Sequence, residues 1–414
     1  MSPNPRAGSS RGCSQRASAS GGRRPSEHAI GRQILAAFAG RLVLNTAIRF
    51  IYPFAAVISR GVGVPLTAVT SLIGLYQATA LLGLVFSLVG DRLGYKLMMG
   101  LGLGLLSAGL LAGGLFPIYP VLVAALLLIG LSKSVFVPAI QAYVGEQVPF
   151  QRRGRIMGLF ETSWAGSTLL GIPVIGLVIH EFGWRAPFFL LGGLGLISLL
   201  ILIRLIPGRP APTDSPLRTS GFFAGWQQLL TRKIGLGSLG FAFFMSMAND
   251  TLFVVYGPWL ESSFQTTALG LGLGTAVIGA AELLGSMLTA TLGDRFGLKR
   301  CTLAALILTG LGYAGLPFLA QSLSTAWFGM FIIFFAVEFC IVTFLSLCSE
   351  FMPRHRSTML AGSLAFSGLG RMTGALIGGP VWLASGILGT GLVAAGISGL
   401  ALISLTWALS AWQG

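Results

Sequence analysis

The sequence predicts an all-α membrane protein of twelve transmembrane helices, arranged as two parallel six-helix bundles related by a pseudo-twofold axis. Three observations predict this class: the composition, a series of apolar runs, and an internal duplication. Of 414 residues, 54% are hydrophobic and only 9% are charged, and the mean hydropathy is +0.82. Soluble proteins typically carry about 25% charged residues, so a soluble globular protein is excluded.

Apolar runs long enough to cross a bilayer follow one another after residue 30, and the polar stretch 207–233 divides them into six and six. We expect 1–30 to be a disordered cytoplasmic tail because it has few large apolar residues, an organelle transit peptide being the alternative. The predicted bundles are 31–206 and 234–414, joined by the cytoplasmic linker 207–233. Spans 1 to 12 are predicted at 34–58, 66–89, 97–116, 119–144, 155–179, 186–206, 234–260, 267–292, 300–320, 325–349, 357–384 and 388–412.

The basic residues predict the orientation. Loops on the side of the amino terminus carry 21 Lys and Arg, whereas the opposite loops carry only 2, Arg60 and Arg185. Cytoplasmic loops are enriched in basic residues, so both termini are expected in the cytoplasm. The net charge of +15 then reflects topology, and no nucleic-acid partner is predicted. We expect an integral protein of a bacterial inner membrane.

The two halves repeat each other. The segment Gly90-Asp91-Arg92-Leu93-Gly94-Tyr95-Lys96 recurs 203 residues later as Gly293-Asp294-Arg295-Phe296-Gly297-Leu298-Lys299. With a displacement of 204, Asn45 and Tyr52 recur as Asn249 and Tyr256. An even number of spans separates the copies, so they are parallel. The same displacement relates Glu146, Pro149, Arg152 and Gly158 to Glu350, Pro353, Arg356 and Gly362.

The repeated G-D-R-x-G-x-K loop, in a chain of twelve spans with a long central loop, resembles the major facilitator superfamily, most closely its drug:proton antiporter-like group. One departure is that Ser87 and Ala290 replace the glycine usual four residues before the aspartate. The resemblance implies a secondary transporter that works by alternating access, with its substrate site between the two bundles.

The resemblance also implies two charge latches that close the cytoplasmic side in the outward-open state. In the family, the loop aspartate faces a helix amino terminus of the opposite half, where the helix dipole favours an anion, and the arginine pairs with an acid at the end of span 4 or 10. The alternative is that these charges only set topology. The residues implied are Gly90, Asp91, Arg92, Gly94, Glu146, Arg152, Gly293, Asp294, Arg295, Gly297, Glu350 and Arg356.

Ionisable residues inside spans are costly unless they face a cavity or a partner, so they mark candidate sites. On span 1, Arg41, Asn45, Arg49 and Tyr52 fall within about 80° of one another on a helical wheel and form one polar stripe. We predict a contact between Arg49 and Asp250 that changes between states, with a permanent ion pair as the alternative. The predicted substrate or proton site is Arg41, Asn45, Arg49, Tyr52, Lys133, Glu161, Asn249, Asp250, Tyr256, Glu282, Glu338 and Arg371. Tyr76, Trp164 and Phe366 are candidate apolar or aromatic contacts, and the alternative is that they face lipid or pack in the core.

Proton coupling requires a carboxyl group that takes up and releases a proton, and burial favours its neutral form. Asp250, Glu161, Glu282 and Glu338 all qualify, with Asp250 favoured because it follows the duplicated Asn249. Glycines and prolines of spans 5 and 11 resemble the antiporter motif of the superfamily and favour export, ordinary helix packing being the alternative. These residues are Gly166, Gly171, Pro173, Gly374, Gly378 and Pro380.

Several other classes of function are disfavoured. The chain has no G-x-x-x-x-G-K-[ST] loop for ATP, and its four cysteines and three histidines lack metal-ligand spacing, so neither a cofactor nor a metal is predicted. We predict a monomeric, non-enzymatic transporter whose partners are a small-molecule substrate, protons and the lipid bilayer. Its expected activity is proton-coupled export of small amphipathic organic compounds. The alternatives are transport of organic or inorganic anions and, more remotely, a receptor of the same fold.

Overall fold

A computed structural model describes residues 27–83, 86, 93–207, 226–352 and 356–412, and the described residues contain helices but no strands. Several helices are interrupted near the middle of the bundle. In the first half, span 1 consists of Glu27–Arg49 and Ala55–Val62, and span 2 of Leu66–Gln77 followed by the 3₁₀ turn Ala78–Leu81. Span 5 consists of Phe150–Gly166, the π-helical turn Ser167–Gly171 and Ile172–Phe182; the other spans are Tyr95–Leu115, Tyr119–Gln147 and Ala186–Leu205.

The second half repeats this pattern. Span 7 is broken into Lys233–Phe253 and Tyr256–Phe264, and the next three spans are Ala268–Phe296, Leu298–Leu319 and Leu323–Phe351. The last helix, Arg356–Ser410, is interrupted at Gly386, which has a φ of 62°. A side chain is strained at such a positive φ, so glycine suits the break between spans 11 and 12.

Nine helices of the described residues are long and apolar enough to cross a membrane, or ten if the bent pair Ala55–Val62 and Leu66–Leu81 counts as one. One of the nine, Thr358–Ser410, has 53 residues; an unbroken helix of that length would be about 80 Å long, far more than a bilayer needs. The all-helical membrane class is therefore confirmed. The count of twelve stays a prediction, because the described residues give nine or ten candidate spans by length and composition.

The two halves meet along two equivalent interfaces, which we name the 5–8 interface and the 2–11 interface after the spans that form them. At the first, a Cβ on Gly176 would lie 2.9 Å from the Cα of Gly272. At the second, a Cβ on Gly74 would lie 3.0 Å from the carbonyl oxygen of Met372. Spans 2 and 5 are the counterparts of spans 8 and 11, so a pseudo-twofold rotation exchanges the interfaces.

The pseudo-twofold axis passes close to spans 1 and 7. Pro53 and Gly257 occupy equivalent positions 204 residues apart; Pro53 lies within the break of span 1, and Gly257 follows the break of span 7. They contact each other, since a Cβ on Gly257 would lie 2.1 Å from the carbonyl oxygen of Pro53. This contact, and the ion pair of Arg60 with Glu261 nearby in the chain, join the halves on the side away from the amino terminus.

The glycines of spans 5 and 11 permit close helix packing within each half. A Cβ on Gly171 would lie 2.4 Å from Thr46 Oγ1 of span 1, and Gly166 faces Leu42 at a looser 3.6 Å. On span 11, Gly374 and Gly378 lie against carbonyl oxygens of span 7. Pro173 follows the π-helical turn, and Pro380 lies within the long last helix. The link from these residues to export stays a prediction.

Candidate functional site

The polar stripe of span 1 is buried at the centre of the molecule, where it contacts both halves. Arg49 and Tyr52 are each only 2% exposed, and Asp250 is fully buried. The predicted site residues on this stripe therefore face protein and not lipid. Two separate networks start from them, one toward span 8 and one toward span 7.

The first network joins Arg49 to Glu282. Arg49 Nη2 lies 2.6 Å from Glu282 Oε1, and both side chains are almost fully buried. Thr168 Oγ1 donates a hydrogen bond to the other carboxylate oxygen at 3.2 Å. Thr168 lies in the π-helical turn of span 5, and such turns are frequent at functional sites. In this structure Arg49 is thus paired with Glu282, and no ion pair within 4.0 Å joins it to Asp250 among the described side chains. That an Arg49–Asp250 contact changes between states stays a prediction.

The second network surrounds Asp250. Tyr52 donates a hydrogen bond to Asp250 Oδ1 at 3.0 Å, and Gln77 Nε2 donates to the Tyr52 hydroxyl at 2.7 Å. Asn249 Nδ2 donates to Asp250 Oδ2 at 3.3 Å, while Arg371 Nε lies 4.0 Å from the same oxygen. Asp250 is therefore held mainly by neutral donors, with a cation at the limit of an ion pair.

Trp164 is surrounded by cations from three spans. The guanidinium of Arg49 lies 4.3 Å from the centre of its indole ring, Lys133 Nζ lies at 5.0 Å and the guanidinium of Arg371 at 5.5 Å. An aromatic face attracts cations at such distances. Lys133 differs from the two arginines, because it has no carboxylate within 4.0 Å among the described side chains.

Glu338 is the counterpart of Lys133 in the other half, one residue from the equivalent position on span 10. Its only hydrogen bond in the described part of the chain comes from Ser286 Oγ, at 2.8 Å, and no cation lies within 4.0 Å. Gly285 allows span 10 to approach span 8 here, since a Cβ on it would lie 3.2 Å from Glu338 Cβ. Each half thus contributes one charge without an ionic partner.

A small central cavity lies beside these groups; Arg49, Glu282, Glu338 and Arg371 line it, whereas Lys133 and Asp250 do not. Its volume is about 20 Å³, enough for a single water molecule. Arg49 Nε and Nη1 and Asn249 Oδ1 are buried without a hydrogen-bond partner in the described structure. The cavity therefore has both unused donors and unused acceptors in its wall. It is lined by Arg49, Trp164, Asn249, Phe253, Glu282, Phe334, Val337, Glu338, Ile341 and Arg371.

Other predicted site residues lie around this centre. Arg41 forms an ion pair with Glu161 at 2.9 Å, although the Glu161 side chain is 63% exposed. Asn45 Nδ2 donates to Ser163 Oγ at 3.0 Å. These residues do not line the cavity, and neither do Tyr256, Tyr76 and Phe366. Tyr256 shares a hydrogen bond with Thr275, Tyr76 donates to the Ile48 carbonyl, and Phe366 packs against the apolar core.

The predicted latch residues are described only in part. Gly90, Asp91 and Arg92, and the side chain of Asp294, lie outside the described residues. Gly94 and Gly297 have φ values of 82° and 83°, so both loops use the backbone freedom of glycine. Arg295 lies over the ring of Phe296. Gly293 is helical, Glu146 and Arg152 lie at the facing ends of spans 4 and 5, and Glu350 and Arg356 are exposed on either side of the next loop.

Several polar partners were not predicted. Gln77, Thr168, Ser163 and Ser286 all hold predicted site residues in place. Gln77 was detectable, because an amide inside an apolar span is uncommon and needs a partner. The hydroxyls were not, since serine and threonine commonly bond to the carbonyl of their own helix. Within the described residues, no group of three or more His, Cys, Asp or Glu side chains is placed to hold a metal.

Comparisons with known proteins agree with this architecture. The sequence model of the Major Facilitator Superfamily matches residues 37–353 and 239–412. The chain is 26% identical, over 72% of its length and 76% of the relative's, to the uncharacterized MFS-type transporter YceJ of Bacillus subtilis. It is 24% identical, over 66% of its length and 67% of the relative's, to the multi-drug resistance efflux pump PmrA homolog of Lactococcus lactis.

Solved structures share the fold at low sequence identity. A bacterial homolog of the human lysosomal transporter Spinster, inward-facing and unoccupied, superposes with a TM-score of 0.73 at 17% identity, covering 94% of this chain and 98% of that one. The human organic anion transporter MFSD10 gives 0.65 at 16% identity, covering 91% and 99%. The family match over most of the chain and the shared fold show that this chain belongs to the major facilitator superfamily of membrane transporters.

Proposed function

We propose that this chain is a secondary active transporter that works by alternating access and couples the export of small amphipathic organic compounds to protons. It would act as a monomer in the bacterial inner membrane, with both termini in the cytoplasm and the two charge latches on that side. The efflux pump homolog of Lactococcus lactis supports export. A central cavity with aromatic and charged walls supports an amphipathic substrate.

The observation that carries proton coupling is the environment of Glu338. Glu282 is paired with Arg49, Glu161 with Arg41, and Asp250 accepts hydrogen bonds from Tyr52 and Asn249. Protonation of any of these three carboxylates would weaken the ion pair or hydrogen bonds that it already makes. Glu338 faces the cavity with one serine as its donor. Glu338 is partly buried, and a carboxyl group away from bulk water without a cation within 4.0 Å gains most from becoming neutral, so Glu338 is the best proton carrier.

The surrounding charges suit this role. Glu282 of span 8, Arg49 of span 1 and Arg371 of span 11 line the same cavity as Glu338. Both arginines already have acidic partners. Movement of one half relative to the other would change the distance from Glu338 to Arg49, because these residues lie in different halves. Proton release is thereby tied to the change of state.

The test uses the full-length protein in vesicles with an imposed pH gradient and ethidium as the amphipathic probe. We expect gradient-driven transport by the wild type and by Glu181→Gln, a control at an exposed position. Glu338→Gln should lose the response to the gradient while retaining exchange of ethidium at equal pH. The proposal that Glu338 couples transport to protons would be refuted by wild-type transport that is independent of the gradient. It would also be refuted by a Glu338→Gln variant that still responds to the gradient.

Lys133 supports a second candidate function, the transport of organic or inorganic anions. It is a cation without an ionic partner next to Trp164, and two further cations lie against the same ring. Benzoate and phosphate in the same vesicles test this candidate. Their saturable transport in the absence of ethidium transport would favour it over export of amphipathic compounds in general.

A further inference from the structure

We infer that the central cavity takes an amphoteric substrate, a compound with an anionic group at one end, a cationic group at the other and an apolar body between them. The inference rests on the proposed transport function and adds the substrate class. It follows from three features: an unpaired cation in one half, an unpaired carboxylate in the other, and apolar or aromatic side chains between.

The anionic end belongs with the first half. Lys133 makes a cation–π contact with the Trp164 ring and has no ionic partner among the described residues. Arg49 is only 2% exposed, and its Nε and Nη1 donors have no hydrogen-bond acceptor in the described structure. Buried donors without partners are costly, and an anion between Lys133 and Arg49 would satisfy both. The carboxylate of Glu282 already accepts hydrogen bonds from Arg49 Nη2 and Thr168 Oγ1.

The cationic end belongs with the second half. Glu338 has one serine donor and no cation, and Asn249 Oδ1 is buried without a donor. Both line the cavity, so an ammonium group there would find two acceptors. Glu338 binds either this ammonium group or a proton, which makes substrate and proton compete for one carboxylate.

The two unpaired charges do not neutralise each other. Lys133 and Glu338 lie on spans 4 and 10 of opposite halves, and no ion pair within 4.0 Å joins them in the described part of the chain. Glu338 lines the cavity and Lys133 does not, but the wall carries Phe253, Phe334 and Ile341 together with Trp164, the ring that Lys133 contacts. A cavity that holds one water cannot hold such a compound, so binding requires the halves to separate first.

Three probes with one scaffold test the substrate class: para-aminomethylbenzoate, which carries both charges, benzylamine and benzoate. Binding to the purified full-length protein is measured by calorimetry in detergent, without any gradient. We expect the doubly charged probe to bind at least about ten-fold more tightly than either relative. Lys133→Gln should reduce its affinity to that of benzylamine, and Glu338→Gln should reduce it to that of benzoate.

Lys133→Arg should retain the preference, which guards against a general folding defect of Lys133→Gln. Lys233→Gln and Glu181→Gln remove the same charges at exposed positions and should leave all three affinities unchanged. The inference is overturned if the doubly charged probe fails to bind or binds no more tightly than the others. It is also overturned if Lys133→Gln weakens benzylamine as much as the doubly charged probe.

The substrate class and the proposed proton coupling can be refuted independently of each other. Loss of the preference, with gradient-driven ethidium transport intact, would refute the substrate class and leave proton-coupled export standing. A clear preference in calorimetry, with no response to a pH gradient in vesicles, would refute proton coupling and leave the substrate class standing.

Discussion

The 5–8 and 2–11 interfaces are equivalent by duplication, yet they are stabilised by different chemistry. Beside the 5–8 interface, a full ion pair of Arg49 and Glu282 is buried with a threonine donor. Beside the 2–11 interface, Asp250 is held by the neutral donors Tyr52 and Asn249, and its nearest cation is 4.0 Å away. A duplicated backbone therefore need not conserve the interaction that joins its halves.

The difference has a consequence for motion. A buried charge that loses its partner is far more costly than a buried carboxylate that loses one of several neutral donors. The 5–8 interface should therefore separate only when another group replaces the lost partner, such as a substrate or, for Glu282, a proton. The 2–11 interface can adjust in smaller steps. The predictions below test this contrast.

The largest effect is expected from breaking the buried pair on one side. Arg49→Met leaves Glu282 charged and almost fully buried, which should lower the free energy of unfolding by about 3–5 kcal/mol. Denaturant titration in mild detergent measures the change. The double variant Arg49→Met/Glu282→Leu removes both charges and should recover much of the loss. Single losses that simply add in the double variant would show that no buried pair couples the halves.

The contrast also shows what the sequence could predict. The composition and duplication predicted the all-helical fold. Of the ionisable residues inside spans, Arg49, Glu282, Glu338 and Arg371 line the central cavity, whereas the Glu161 side chain is 63% exposed. Periodicity identified the face of span 1 that carries Arg49, but it says nothing about which helix of the other half lies opposite. Glu282 is 233 residues away on span 8, so its pairing with Arg49 depended on tertiary packing.

Pro53 and Gly257 show a second limit of prediction. The two breaks have no strong common sequence signal, because Pro53 lies within the first, whereas Gly257 and Pro258 follow the second. Their meeting at the pseudo-twofold axis follows from how the two halves pack. The hydroxyl of Thr168 reaches Glu282 only because span 5 contains a π-helical turn, which the sequence did not indicate.

The next effect tests the network beside the 2–11 interface. Tyr52→Phe removes the hydrogen bond to Asp250 and the acceptor that Gln77 uses. Hydrogen bonds to charged groups contribute about 1.5–3 kcal/mol, so a loss of that size is expected in the same titration. Tyr313→Phe is the control, because the Tyr313 hydroxyl is buried with no partner in the described structure. A loss for Tyr52→Phe as large as that for Arg49→Met would contradict the contrast.

A smaller difference is expected between two glycines, one from each interface. A Cβ on Gly176 would lie 2.8 Å from the Ala268 carbonyl oxygen, which is backbone, whereas a Cβ on Gly379 would meet the Thr70 hydroxyl at 2.5 Å. A side chain can rotate away, but two helix backbones must move apart. Gly176→Ala should therefore cost about 1–3 kcal/mol, and Gly379→Ala clearly less. Equal losses in thermal unfolding would mean that both interfaces are equally rigid.

The smallest effect is expected at the ion pair of Arg60 with Glu261. It joins the halves at 2.5 Å, but the Arg60 side chain is 62% exposed. Ion pairs exposed to water contribute about 0–1 kcal/mol and weaken with salt. Arg60→Gln should change the free energy of unfolding by no more than that, with less change at high salt.

The effect of Arg60→Gln is to be compared with that of Gly257→Ala. Its Cβ would overlap the Pro53 carbonyl oxygen, so it should slow transport by forcing the halves apart on this side, whereas Arg60→Gln should leave the transport rate within about two-fold. Packing at the pseudo-twofold axis would then close this side of the molecule, with the ion pair only adding to it. The opposite ranking of the two variants would mean that charge, and not backbone contact, holds this side shut.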